Sequence, residues 1–441
     1  MRIIHTSDWH LGHVLYGYDR SREQRDMLVR IEEIVGKEKP DALVVSGDVY
    51  HTGQPSAAVQ KMFTEAVMRL HEACPEMEIV ITAGNHDSAS KHEVSRILWE
   101  TQKVNMIGSV DKDNPDKLIV EVAGKGFIVA IPYVNERSMP EGFCKSLLDK
   151  VAERNTGNLP VVISAHTTVA GCNYTGHEDI RELSVGGIDS VGLEEFGEGY
   201  DYIALGHIHK PQTIAGSGGR ARYCGTPLPV SFDESYGHSV SVVEIASHGA
   251  APQIREVPIK TDCPLVNIPS SGFGKWDEVK ERLKDFPKDN PAYIRLNVEV
   301  EDSLPPDAVV EARNILSGGL GLFCTINARR AASGKSDRKT LSVSEFRAME
   351  PLEVARLYAE DTGITFTDEL AELFREAMPI ANKVYVTDID AEVDADTYAP
   401  DIDALAERGE WSVTDRSARL TPKNADGGIE GYRFRTFERV R

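Results

Sequence analysis

Five short segments, each at the end of an apolar run, carry side chains that could hold metal ions. They are Asp8-Trp9-His10 within TSDWHLG, Gly47-Asp48 within SGDVYH, Gly84-Asn85-His86-Asp87, His166 within ISAHTTV, and Gly206-His207-Ile208-His209. Their donors are carboxylate, amide and imidazole. Such a mixed O/N set suits Mn²⁺, Fe or Zn²⁺ and is too rich in nitrogen for Ca²⁺. At a strand's end, residues i and i+2 point the same way, so Asp8 and His10 can share one ion, and His207 and His209 one mouth. Asp48 follows an apolar run and a glycine, which lets backbone approach closely, and its two oxygens can bridge two ions. Asn85 offers a neutral oxygen. Two ions roughly 3.5–4 Å apart can clamp a phosphate, acidify a water between them and aim it in line with the leaving oxygen. Each segment alone is weak: Gly-Asn is a turn former, and an isolated histidine is more often a core residue. The order of all five carries the reading.

Strands must bring these segments together. Residues 1–8, the run ALVVSGD and the run EIVITAGNHD read as strands. They alternate with helical spacing over residues 20–37, with Met27, Leu28, Ile31, Ile34 and Val35 on one side, and over residues 56–73. From about residue 117 strands and turns dominate: KLIVEVAG, GFIVAIPYV, VVISAH, YIALGHIH, ARYCGTPLPVSF and SVSVVEIA. The expected fold class is α/β, a four-layer sandwich of two central sheets flanked by helices, over residues 1–257. The ligands then sit where the carboxyl ends of the strands converge. After a boundary near 258–264, residues 258–330 read as a small α/β cap, residues 331–343 as a polar, basic linker and residues 344–378 as a helix–loop–helix. Residues 379–441 contain an acidic run and few core-sized side chains, and read as a half-ordered acidic extension of unknown role.

With 441 residues, two or three domains are expected. No apolar run approaches the length of a membrane span, and the strand-like start predicts no signal peptide. The six cysteines are scattered without a CxxC pair and read as free thiols of a cytoplasmic protein. A net charge of −21 argues against a chain that coats nucleic acid unaided. It leaves room for a nuclease whose metal pair holds the scissile phosphate and whose partner supplies basic surface.

The five segments resemble the calcineurin-like metallophosphoesterase family. The longer stretches TSDWHLG, GDVYHTGQPS, DYIALGHIHKPQ and RYCGTPLPVSFDE are similar to the D-subunit nucleases of SbcCD exonucleases, of the Mre–Rad DNA-repair type, over roughly residues 1–260. The resemblance implies that Asp8, His10, Asp48 and His209 hold one ion, and Asp48, Asn85, His166 and His207 the other, both Mn²⁺. It implies that His86 stabilises the pentavalent phosphate and protonates the leaving 3′-oxygen, with Asp87 or another carboxylate orienting it. His51 stands where relatives carry His or Asp, and either touches the phosphate or is a plain loop residue. It further implies DNA as substrate, a homodimer of the nuclease subunit within a heterotetramer, and docking of residues 344–378 on a coiled-coil ATPase of the SbcC type. Leu352, Val354, Leu357, Leu370, Leu373 and Phe374 would be the docking anchors. The chain has no GxxxxGK[ST] phosphate loop, so any ATP dependence must come from the partner. The rival readings are a small-molecule phosphodiesterase of the same fold and a non-catalytic scaffold for the ATPase.

Overall fold

The computed structural model describes residues 1–330 apart from 95, 112, 135–141 and 175–189, together with residue 356 and the strands within 383–391, 411–416 and 429–439. Two compact units divide the chain, Met1–Ala332 and Ser333–Arg441.

The first unit is built on two six-stranded sheets. In the first sheet the parallel strands Arg2–Thr6, Ala42–Ser46, Glu78–Thr82 and Val104–Ile107 lie side by side. Ser239–Glu244 pairs antiparallel with Arg2–Thr6, and Gln253–Pro258 closes that edge. In the second sheet Gly126–Ile131, Val161–His166, Tyr202–Gly206 and Ala221–Tyr223 run parallel, with short antiparallel strands at both edges.

Alternation along the strands makes the layers. Ile3, Val44 and Val80 face the second sheet and share a core with Val129, Ile163 and Leu205. Their neighbours Ile4, Leu43, Val45, Ile79 and Ile81 face outward, against Met27, Leu28, Phe63 and Leu70 of two helices. Those helices are Ser21–Glu38, which ends where Lys39 turns left-handed, and Ala57–Ala73, whose first turn is capped by the Ser56 side chain on Val59 N–H. Helix Phe143–Arg154 covers the second sheet with Leu147, Leu148 and Val151. The four-layer α/β sandwich read from the sequence is therefore present. At the carboxyl ends the two sheets touch: Ser46 Oγ lies 3.0 Å from Ser164 Oγ.

A third sheet follows within the same unit. Its central strand, Ala292–Val300, pairs parallel with Leu265–Ile268, Gly274–Lys275 and Gly321–Arg330. Helices Trp276–Lys284 and Ala308–Leu316 bury Val279, Leu283 and Ala312 on it. Polar contacts fasten it to the sandwich: Tyr18 Oη donates to the Phe323 carbonyl at 2.9 Å, and Tyr293 Oη to Glu23 at 2.7 Å.

In the second unit the expectation of a half-ordered tail is corrected. Lys383–Ala391, Ile429–Arg439 and Trp411–Arg416 form a three-stranded antiparallel sheet, with Ile429–Arg439 in the centre. The sequence signal is an alternation such as Tyr432-Arg433-Phe434-Arg435, overshadowed by the acidic run before it. The helix–loop–helix expected over residues 344–378 lies outside the described residues, apart from Arg356, which is helical. No helix among the described residues is long and apolar enough to cross a membrane.

Candidate metal centre

Every segment singled out for its donors leaves the carboxyl end of a parallel strand, and the packed sheets bring them to one place. Asp8 and His10 follow Arg2–Thr6, Asp48 follows Ala42–Ser46, and Asn85 and His86 follow Glu78–Thr82. His166 ends Val161–His166, and His207 and His209 follow Tyr202–Gly206. Turning the chain this sharply strains it. Asp8, His10, Asp48 and His207 have φ values of 53°, 44°, 51° and 97°, the left-handed region that such residues seldom adopt. Glycine is required where backbones nearly touch: a Cβ on Gly84 would stand 2.1 Å from Asp48 Oδ1, and one on Gly206 would stand 1.8 Å from the Ser46 carbonyl oxygen.

Two buried donor groups result. In the first, atoms of Asp8, His10 and His209 all lie within 4.8 Å of one another, and in the second those of Asp48, His166 and His207 do. Asp48 stands between them, its Oδ2 3.4 Å from His166 Nε2 and 3.9 Å from His10 Nε2. The tautomers are set from behind. His166 Nδ1 lies 2.8 Å from the Ser46 carbonyl and donates to it, which turns the Nε2 lone pair inward. Asn85 Oδ1 lies 3.0 Å from both His166 Nε2 and His207 Nδ1. The His10 and His209 Nε2 atoms face each other at 3.2 Å. Converging acceptors of this kind are what cations satisfy, so the donor set fits a pair of divalent ions.

The sequence model of the calcineurin-like phosphoesterase family matches residues 1–211. The SbcCD nuclease of Rhodobacter capsulatus has a D subunit that is 30% identical over 375 residues, which is 76% of this chain and 91% of that protein. The chain belongs to the SbcCD D-subunit family. Its counterpart from Bacillus subtilis is also 30% identical, over 85% of this chain and 97% of its own length. A solved dimetal phosphatase from Danio rerio matches loosely, at 14% identity and a TM-score of 0.35, over 59% of this chain and 99% of that one. A second family model, dihydrofolate reductase, matches residues 337–439. That minority of the chain runs through the segments expected as docking helices and acidic extension, and through the three-stranded sheet.

Electrostatics of this D-subunit site follow from burial and crowding. Burial alone would raise Asp48, but His166 beside it holds the carboxyl well below the usual range. Burial opposes charge on His166 too, yet Asp48 outweighs it and lifts the imidazole to about 9. Burial holds His207 down to about 3 and His10 well below its ordinary value. Without ions, Asp48 and His166 thus form an ion pair, and a cation held there would take the place of the His166 Nε2 proton.

The remaining candidates sit beside the two groups. His86 N–H donates to Asp48 Oδ1 at 2.9 Å, and its Nδ1 lies 2.9 Å from the His51 carbonyl. The His10, His51 and His86 rings cluster at the mouth, with His51 and His86 stacked at 5.7 Å between centroids. Asp87 occupies a different place from the orienting one the resemblance implies. Its carboxylate accepts from Val49, Tyr50 and Gly84 N–H at 2.9–3.1 Å, and the His51 carbonyl is what meets His86 Nδ1. Asp87 is a clamp between loops.

Sequence reading missed Glu234. Its buried Oε1 lies 3.1 Å from His209 Nδ1, and Thr226 Oγ1 donates to its Oε2 at 2.8 Å. The stretch PLPVSFDE, which carried part of the family resemblance, contains it, but its distance in sequence from His209 hid the contact.

Proposed function

We propose that this metal-dependent nuclease is the D component of an SbcCD-type complex. With an ATPase partner it would act as an ATP-dependent 3′→5′ exonuclease on duplex ends. It would also act as an endonuclease on single strands and hairpins, in DNA repair, replication and recombination. The observation that carries the reading is the pair of buried donor groups meeting at Asp48. Asp8, His10, Asp48 and His209 would hold one ion, and Asp48, Asn85, His166 and His207 the second, with Mn²⁺ the ion the family implies.

When bound, the ion pair supplies charge neutralisation of the scissile phosphate and acidity to the attacking water. The chain's own residues do the rest. Asp48 fixes the spacing of the two positions and, through His86 N–H, the place of His86. With Nδ1–H of His86 committed to the His51 carbonyl, the proton delivered to the leaving 3′-oxygen comes from Nε2. His51, stacked on His86, faces the same mouth and would meet the phosphate. Asp87 holds the loops of Asp48 and His86 in register.

Residues 258–330 would form a DNA-facing cap, and residues 344–378 would dock on the ATPase. A homodimer is supported by exposed apolar side chains: Val94, ending helix Ala89–Val94, and Ile97 and Leu98, on helix Arg96–Glu100, are 83%, 81% and 74% exposed. Six free cysteines agree with a cytoplasmic home. The test is cleavage of duplex ends and single strands with Mn²⁺, with and without the ATPase and ATP. Single-strand cleavage alone, and ATP-stimulated attack on duplex ends once the complex forms, is the expected result. A truncation ending near Lys339 should keep the first activity and lose the second; co-purification of that truncation with the ATPase at full affinity would remove the docking assignment.

A further inference from the structure

We infer that Glu234 is a positioning residue for the metal ligand His209, and that the third sheet holds Glu234 in place, so that movement of that sheet sets the occupancy of the first ion position. The inference rests on the two-ion reading above and deepens it.

His209 has one nitrogen on each side of the wall. Nε2 faces His10 Nε2 at 3.2 Å inside the site, and Nδ1 faces Glu234 Oε1 at 3.1 Å behind it. A carboxylate there accepts Nδ1–H, which leaves the Nε2 lone pair for an ion and fixes the ring plane. Such outer partners typically contribute 10–100-fold in metal affinity.

Glu234 does not stand on a rigid element of the sandwich. It lies within the irregular stretch 224–238 between strands Ala221–Tyr223 and Ser239–Glu244, and that stretch is gripped from the third sheet. Arg295, on the central strand of that sheet, donates to Asp233 Oδ1 at 2.6 Å and to the Phe232 carbonyl at 3.4 Å. Its guanidinium carbon lies 5.2 Å from the centre of the Phe232 ring. Asn267, also on the third sheet, donates to the same Phe232 carbonyl at 3.0 Å and accepts from Arg295 Nε at 2.8 Å. Arg295 and Asn297 on the central strand are buried residues, 9% and 7% exposed. A shift of the third sheet therefore pulls on Phe232 and Asp233, and the next residue is the one that orients His209.

Mn²⁺ binding to the full chain, without nucleic acid, tests both links. Calorimetry gives stoichiometry and affinity, and electron paramagnetic resonance of the bound ions gives their coupling. Wild type is expected to bind two coupled ions. Glu234→Ala should weaken one of the two positions by about 10–100-fold, with loss of the coupled signal at ion concentrations that still load wild type. Glu234→Gln, whose amide oxygen also accepts Nδ1–H, should recover most of that loss. Arg295→Met, which keeps bulk but removes the grip, should weaken the same position several-fold and leave the other unchanged. Two coupled ions of undiminished affinity in Glu234→Ala would overturn the positioning role. A normal affinity in Arg295→Met, beside a weakened Glu234→Ala, would overturn the coupling to the third sheet. Two ions without DNA cleavage in wild type would instead count against the nuclease reading and leave this one standing.

Discussion

The two sheets of the sandwich contribute unlike chemistry to one site. From the first come both carboxylates, the Asn85 amide, and the imidazoles of His10 and His86, on loops pinned by backbone N–H groups. Asp48 accepts from His86 N–H, and Asp87 from three more. From the second come only imidazoles, at or just past strand ends, two of them steered by an acceptor behind: Ser46 for His166 and Glu234 for His209. The first sheet makes a rigid anionic floor, and the second hangs adjustable nitrogen donors over it. Loss of Asp48, the floor residue shared by the two positions, should then affect both, and loss of a roof histidine only one.

Asp48→Ala breaks the floor and carries the largest expected effect. Both positions lose a ligand, so turnover with Mn²⁺ should drop well beyond the roughly 10–100-fold of an outer-partner loss. His207→Ala, on the roof, should lose one ion and keep the other. Metal analysis beside single-turnover cleavage separates them. Equal, one-ion losses in the two variants would erase the contrast between sheets, and an Asp48→Ala enzyme with near-native rate would end the two-metal assignment.

His86→Gln comes next. The residue belongs to the first sheet's loops and lies outside the two carboxylate-bearing donor groups, its ring nitrogen grouping instead with those of His10 and His51. It should keep two ions and lose about 10²–10⁴-fold in turnover, the usual share of a general acid. Loss of an ion instead would make His86 a ligand.

Gly84→Ala sharpens the comparison through packing alone. A methyl group 2.3 Å from Asp48 N and 2.1 Å from its Oδ1 cannot be accommodated without moving the floor. Destabilisation of about 1–3 kcal/mol is expected, with weakened binding of both ions. Gly237→Ala, where no atom lies within 4 Å and the backbone is not left-handed, serves as the control for stability at another glycine.

How much of this was legible in the sequence differs between elements for a physical reason. Strand ends announce themselves because an apolar run stops at a polar residue, so Asp8, Asp48, Asn85, His166 and His207 could be named before their contacts were known. Parallel strands then leave few ways to arrange them. Glu234 could not be found that way: its partner is set by a loop folding back against His209, and no local period encodes such a return. The family resemblance implies that Asp87 serves His86, whereas a carboxylate with three backbone donors in reach satisfies those first. The strands after residue 383 were hidden for a third reason, since acidic composition masked their alternation.

The smallest expected effect concerns a residue that joins the two sheets away from the ions. His5, in the first sheet, lies 2.9 Å through Nδ1 from Tyr202 Oη in the second. Burial keeps the Tyr202 hydroxyl protonated, so it donates and Nδ1 accepts. Burial, with Arg222 nearby, also holds His5 down from its ordinary 6.5 to about 3. The folded chain then resists a proton that the unfolded chain accepts below 6.5. The stability tied to a neutral His5 is fully present above 6.5 and is lost progressively as the pH falls toward 3. At pH 5.5, about one unit into that window, this single group costs about 1.4 kcal/mol. Replacing it by Asn, which has no proton to gain, should lower stability at pH 7.5 through poorer packing. The same variant should lose less than wild type between pH 7.5 and 5.5. Urea unfolding of the chelator-treated protein at the two pH values measures this, with His13, held down to about 3 mainly by burial, contributing equally to both proteins. Parallel losses in wild type and His5→Asn would mean that the contact between the sheets does not depend on a neutral imidazole at this position.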